Sequence, residues 1–242
     1  MTTLAPPRKR KPNLTPATIP FRARPPLLMT GDHLSRAEFE RRYEAHPELK
    51  AELIEGVVYV SSPVHLQNHA QPHSRVTIWL GIYKVNTPGL NIADNPTLRL
   101  DWDNEVQPDV AVWVVGGRAY PTEDDYLTGV PELIIEVAAS SATHDLHEKL
   151  NVYRRNGVPE YLVFSVYEQE TYWFMLVEGE YKRIEPDENG IIKSQIFPGL
   201  YFSPSLFWAD DVAALLALLQ QGLGSPEHQA FKTHLQSPKT SA

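Results

Sequence analysis

Short apolar runs alternate along the chain with stretches of helical spacing, and each change of period marks an element. In "SRAEFERRYEAH", Ser35 precedes a helical pattern with Glu38 three residues on, a capping-box arrangement that predicts a helix ending before Pro47. "AELIEGVVYVSSP" reads as two short strands pivoting at Glu55-Gly56, or as one bent strand, ended by Pro63. Val76, Trp79, Leu80 and Tyr83 share one face of a helix expected from about Pro72 to Tyr83. "GLNIADNPTLRLDWD" and "QPDVAVWVV" are strand-like, the polar, acidic stretch from Gly116 to Gly129 reads as a surface loop, and Leu133 to Val137 forms a further apolar strand. A helix from Thr143 to Asn156 follows, with Asp145 near its start and Arg154 and Arg155 in its last turn, as the helix dipole favours, and Gly157 stops it. "EYLVFSV", "TYWFMLV", "YKRIEP" and "GIIKSQIFPGLYF" add strands before a closing helix from Asp210. No internal repeat is present, and the order predicts an α/β (α+β) protein, a mixed sheet flanked by helices.

Length and composition narrow this picture. The 242 residues suit one domain with appendages, and 42% hydrophobic content is that of a folded protein. Residues 1–28 hold seven prolines and the basic cluster Arg8 to Lys11, the composition of an unfolded arm that reads either as a nucleic-acid or targeting patch or as a solvated tail. The folded domain is expected over 29–222 and a weakly ordered tail over 223–242. No apolar segment follows the basic cluster as in a signal peptide, and no run reaches the roughly 18 apolar residues of a membrane span, so a cytoplasmic protein is expected. Cysteine is absent, which excludes disulfides and thiol nucleophiles and leaves oxygen or imidazole ligands for any metal. The net charge is −8; beyond the first 26 residues, which carry six basic side chains, 16 basic residues face 30 acidic ones. Such a body disfavours a broad nucleic-acid footprint while permitting a local basic groove or arm.

Three polar residues stand where packing alone would not put them. Asp109 lies at the mouth of the strand "VAVWVV" and Glu136 near the end of "LIIEVA". If these strands pair antiparallel across the loop between them, the two carboxylates become cross-strand neighbours. Paired anions repel unless a cation or a shared proton lies between them, which predicts a hard-metal site or a carboxylate dyad. Lys149 lies four residues after Asp145, on one helix face that Tyr153 continues. A lysine delivered there could stabilise charge on a phosphate or position a water. The alternative is structural: Asp109 caps a strand, Glu136 pairs with a buried arginine and Lys149 is solvated. His65, His69 and His73 cluster before the second helix, yet Pro72 breaks the register between the last two, so a three-histidine metal site is not expected. Gly116-Gly117 is too short for a phosphate loop, and neither a Walker pattern nor a GxSxG elbow is present.

The stretches "AELIEGVVYVSSP", "QPDVAVW", "PELIIEVAASSATHDLHEKLNVYRRNGVPEYLV" and "FPGLYF", in that order over about residues 30 to 220, resemble the Uma-type restriction-endonuclease family within the PD-(D/E)XK nuclease superfamily. The resemblance implies a restriction-endonuclease-like fold with additional antiparallel strands, and magnesium- or manganese-dependent hydrolysis of phosphodiester bonds in nucleic acid, with DNA as the expected substrate. It makes Asp109 and Glu136 the metal ligands and Lys149 the catalytic lysine, moved onto the helix because Ala138 occupies the usual lysine position. Glu52 is the expected further acid: Glu52 and Glu55 are three apart, so on an extended strand they face opposite sides, and the family favours the acid of the "EL" pair. His73 matches a histidine common at this helix start, and Asp145 and Tyr153 are substrate-adjacent. Superfamily members often cut two strands with two sites, which makes a homodimer an expected assembly. The competing reading is a non-catalytic nuclease-fold module binding nucleic acid or a protein partner in regulation, which the acidic body favours; a glycosidase built on the same carboxylates would explain neither Lys149 nor the motif order.

Overall fold

The computed structural model of the protein describes residues 24–61, 66–139 and 142–237. Ser35 accepts the Glu38 amide at the start of α1 (Arg36–Ala45), as its sequence predicts. The chain then reverses at Glu55 and Gly56, whose φ angles of 54° and 73° are those of a tight hairpin turn, so β1 (Ala51–Ile54) and β2 (Val57–Val60) pair antiparallel. A π-helical turn, Leu66–Ala70, runs into α2 (Gln71–Asn86). Pro72, second residue of α2, follows this looser turn and does not break the run.

Seven strands follow: β3 (Leu90–Asp94), β4 (Leu98–Arg99), β5 (Glu105–Val106), β6 (Val110–Val114), β7 (Ala119–Pro121), β8 (Leu127–Gly129) and β9 (Leu133–Ala138). The expected loop over 116–129 thus contains a hairpin, anchored by buried Ala119 and Leu127, with Leu127 opposite Leu98 of β4. A crossover of α3 (Ala142–His144), a π-helical turn (Asp145–Lys149) and α4 (Leu150–Arg155) leads to β10 (Glu160–Ser165). Then come β11 (Glu170–Val177), β12 (Glu180–Arg183), β13 (Ile192–Lys193), β14 (Tyr201–Phe202), α5 (Pro204–Trp208), α6 (Val212–Leu223) and α7 (Pro226–Gln236).

The central sheet has the order β12-β11-β10-β9-β6-β3 and the second sheet β2-β1-β5-β4-β8-β7. Both are mixed, with β9–β10 parallel in the first and β4–β8 parallel in the second. Period-two alternation divides β9: Leu133, Ile135 and Val137 pack with Trp79 and Leu80 of α2 and Leu215 and Leu219 of α6, whereas Ile134 and Ala138 pack with Val152 and Tyr153 of α4. Glu136 falls on the α4 face.

Both ends differ from expectation where they are described. Residues 1–23 of the arm lie outside the described residues, but Arg24 donates to Ala45 O (2.8 Å) and Leu28 is buried with Phe39 of α1. The expected weakly ordered tail forms α7, capped by Ser225, with buried His228 within 2.9 Å of Thr87 Oγ1 and of Leu223 O. No described helix is long and apolar enough to cross a membrane.

Candidate active site

The antiparallel register of β6 and β9 pairs Val110 with Ile135, so Asp109, one residue earlier, lies beside Glu136. Asp109 Oδ2 accepts the Val137 amide (2.7 Å), which fixes the carboxylate against the neighbouring strand. From the crossover, Lys149 Nζ reaches Glu136 Oε1 (3.0 Å), Glu52 Oε1 (3.0 Å) and Asp145 Oδ1 (3.6 Å). Glu52 arrives from β1 of the second sheet and is held by the Gln107 amide (2.6 Å). The Tyr153 hydroxyl donates to Glu136 Oε1 (3.0 Å). Asp109, Glu136, Lys149, Glu52, Asp145 and Tyr153 therefore form one buried cluster assembled from two sheets and a helix. The structural alternative does not describe it: Glu136 meets a lysine rather than an arginine, and that lysine is 4% exposed. Glu55 sits in the hairpin turn and pairs instead with Arg155.

Local winding explains how the lysine gets there. Asp145–Lys149 is a π-helical turn, looser than an α-helix and frequent at functional sites, and it turns both Asp145 and Lys149 inward. His73 is at the rim, its Nε2 2.9 Å from Asp94 Oδ1 and 3.2 Å from the Asp109 carbonyl. His69 lies nearer: its Nε2 is 3.1 Å from Asp109 Oδ1, and its ring is 5.6 Å from that of His73. Its signal was the four-residue spacing to His73. His65 lies outside the described residues.

Charge is unevenly balanced. Burial pushes the Glu136 carboxyl well above its ordinary range; Lys149 opposes this, while Asp145, Asp109 and Glu52 add to it. Burial disfavours the Lys149 ammonium, but Glu136, Glu52 and Asp145 outweigh it and hold its pKa well above the usual lysine value. For Asp109, burial acts upward, and His69 and the Val137 amide bring the net value below that of an ordinary aspartate. Four carboxyl groups thus face one ammonium. Among the described residues, no hydrogen bond reaches Glu136 Oε2, and no group of three or more His, Asp or Glu side chains is arranged to hold a metal. Two adjacent carboxylates with surplus negative charge fit a small hard cation, which takes one or two protein oxygens and completes its shell with water and phosphate. Ala138, fully buried, shares the face of Glu136 and leaves the strand without a lysine of its own.

The mixed central sheet flanked by helices recurs among solved structures. The chain is similar to a crystal structure of a "putative nuclease belonging to DUF820" from Anabaena variabilis, with a TM-score of 0.52 and 16% identity over 67% of this chain and 91% of that one. The family model for Uma2, described as "Putative restriction endonuclease", matches residues 36–205, and the chain belongs to that family. No curated protein matches.

Proposed function

We propose that the protein is a divalent-metal-dependent endonuclease that hydrolyses phosphodiester bonds of nucleic acid, with DNA as its substrate and magnesium or manganese as its ion. The observation that carries this reading is the convergence of Asp109, Glu136, Lys149 and Glu52 in one buried cluster with net negative charge and an unused Glu136 oxygen. Asp109 and Glu136 would hold the ion, which when bound polarises a phosphoryl oxygen and makes a bound water acidic. Lys149 supplies the fixed positive charge, as a donor to a non-bridging phosphate oxygen or to the attacking water. Glu52 and Asp145 hold the Lys149 ammonium in place, Tyr153 pins Glu136 Oε1, and His73 stands at the substrate side of Asp109. The reading includes a cytoplasmic setting and a homodimer, the latter measurable by sedimentation.

The test is cleavage of plasmid and single-stranded DNA by purified protein with magnesium, manganese or EDTA. Metal-dependent cleavage that disappears in Glu136→Ala and Lys149→Ala is expected; cleavage persisting in either variant sinks the assignment. A second reading, a non-catalytic nuclease-fold module, draws on the acidic body, since a duplex-binding surface normally carries basic excess. Calorimetry separates them: an Asp109-dependent magnesium site favours catalysis, and no binding at millimolar metal favours the module.

A further inference from the structure

Three large aromatic side chains are exposed among the described residues: Trp102 (80%), Tyr120 (56%) and Tyr167 (59%). Trp102 has the Arg36 guanidinium over one face, 5.0 Å from its ring, and Tyr120 lies on β7 at the edge of the second sheet. Tyr167 is tied to the candidate active site from two directions. It follows Val166, whose amide donates to Ala138 O (2.8 Å), so it stands where the parallel strands β9 and β10 end. Its hydroxyl accepts from Asn68 Nδ2 (3.3 Å), and the next residue, His69, is the one that contacts Asp109. No ring or cation among the described residues packs on its face, and the neighbouring Glu168 carboxylate turns back onto Ser165.

Charge says what such a ring would be for. Lys149 is a single buried ammonium beside three carboxylates, and beyond residue 26 acidic residues outnumber basic ones by 30 to 16. Neutralising phosphates with lysine and arginine is a poor source of affinity on such a body. Stacking a base on an aromatic face needs no charge, and a ring tethered at its hydroxyl loses less freedom on binding. A base inside a duplex has no face to offer.

We propose that Tyr167 is a base-stacking residue of the candidate active site and that the site takes single-stranded nucleic acid. This rests on the nuclease reading and extends it to substrate class. The experiment is fluorescence anisotropy on the full chain, with calcium replacing magnesium to suppress turnover. The probes are a labelled single-stranded oligonucleotide, the same strand with abasic sites throughout, and the corresponding duplex. The wild type is expected to bind the intact strand about tenfold or more tightly than either alternative, with a shallow salt dependence; Tyr167→Ala should lose about tenfold and Tyr167→Phe should retain most of the affinity. Wild-type affinity in Tyr167→Ala, or equal binding of intact and abasic strands, overturns the stacking role. Tighter binding of the duplex overturns the substrate class. If the wild type binds none of the three probes, the nuclease reading falls with it.

Discussion

Glu136 and Glu160 lie on adjacent parallel strands of the central sheet, both buried, and they are held in opposite ways. Glu160 faces the α2 side, where Oε2 accepts from Trp173 Nε1 (3.0 Å) and Ser194 Oγ (2.8 Å), and Oε1 from the amides of Gln195 (2.6 Å) and Ile196 (3.1 Å). Glu136 faces the α4 side, where Oε1 receives an ammonium and a phenol and Oε2 receives nothing from the described residues. Burial raises both carboxyls; around Glu160 neutral donors oppose it, around Glu136 a single lysine does so against three further carboxylates. Burial of a glutamate therefore does not mark a site. Unused bonding capacity beside several other acids is what separates Glu136 from Glu160.

Removing the lysine attacks the weaker side of this contrast most directly. Lys149→Met leaves Glu52, Glu136 and Asp145 buried without their cation, which should cost roughly 3–5 kcal/mol in urea unfolding and abolish cleavage. Millimolar magnesium should restore part of the stability but not the cleavage, through binding to the folded state alone. Next, Glu136→Gln should reduce cleavage on the order of 10²–10³-fold with little loss of melting temperature, whereas Glu160→Gln should cleave normally and lose roughly 2–4 kcal/mol, because its amide cannot accept from every donor that Glu160 satisfies. Equal activity losses in the two variants would erase the distinction.

Glu105 is an intermediate case. It is buried, neither of its oxygens has a hydrogen-bond partner among the described residues, and Arg99 Nε stands 3.5 Å away. Burial and the neighbouring Glu40 carboxyl push its pKa up to about 8 from an ordinary 4.5, with Arg99 opposing. The folded state thus keeps a proton that the unfolded chain releases, so this group's contribution to stability falls as pH rises from 4.5 to about 8 and is flat above. Glu105→Gln should remove that slope, gaining on the order of 2 kcal/mol at pH 8 in denaturation curves across pH. The smallest effect belongs to Tyr153→Phe: about 1 kcal/mol of stability and a few-fold weaker manganese binding by calorimetry, as Glu136 loses one of the two donors that orient it.

What the sequence disclosed follows the range of the interactions. The α1 cap, the turn at Glu55-Gly56 and the apolar run of β9 are written in neighbouring residues, and they appear as read. The closeness of Asp109 and Glu136 needed one assumption, an antiparallel β6–β9 pair, and the register provides it. The β7–β8 hairpin was not legible, because its two short strands are fixed by a partner some thirty residues earlier rather than by their own pattern. The start of α7 is written locally in Ser225-Pro226, whereas its packing through His228 onto Thr87 is long-range. The approach of His69 to Asp109 depends on the π-helical turn Leu66–Ala70 running without a break into α2, a continuity that Pro72 does not announce.

The buried alanine at position 138 shows what the fold leaves free. Because residues 136 and 138 share a face and Lys149 enters that same space from the crossover, a positive charge can change its place in the chain while keeping its place beside the acid. The counter-charge of Glu136 is thus set by the space the two elements share and not by spacing along the strand, and asking where each buried acid finds its counter-charge locates it.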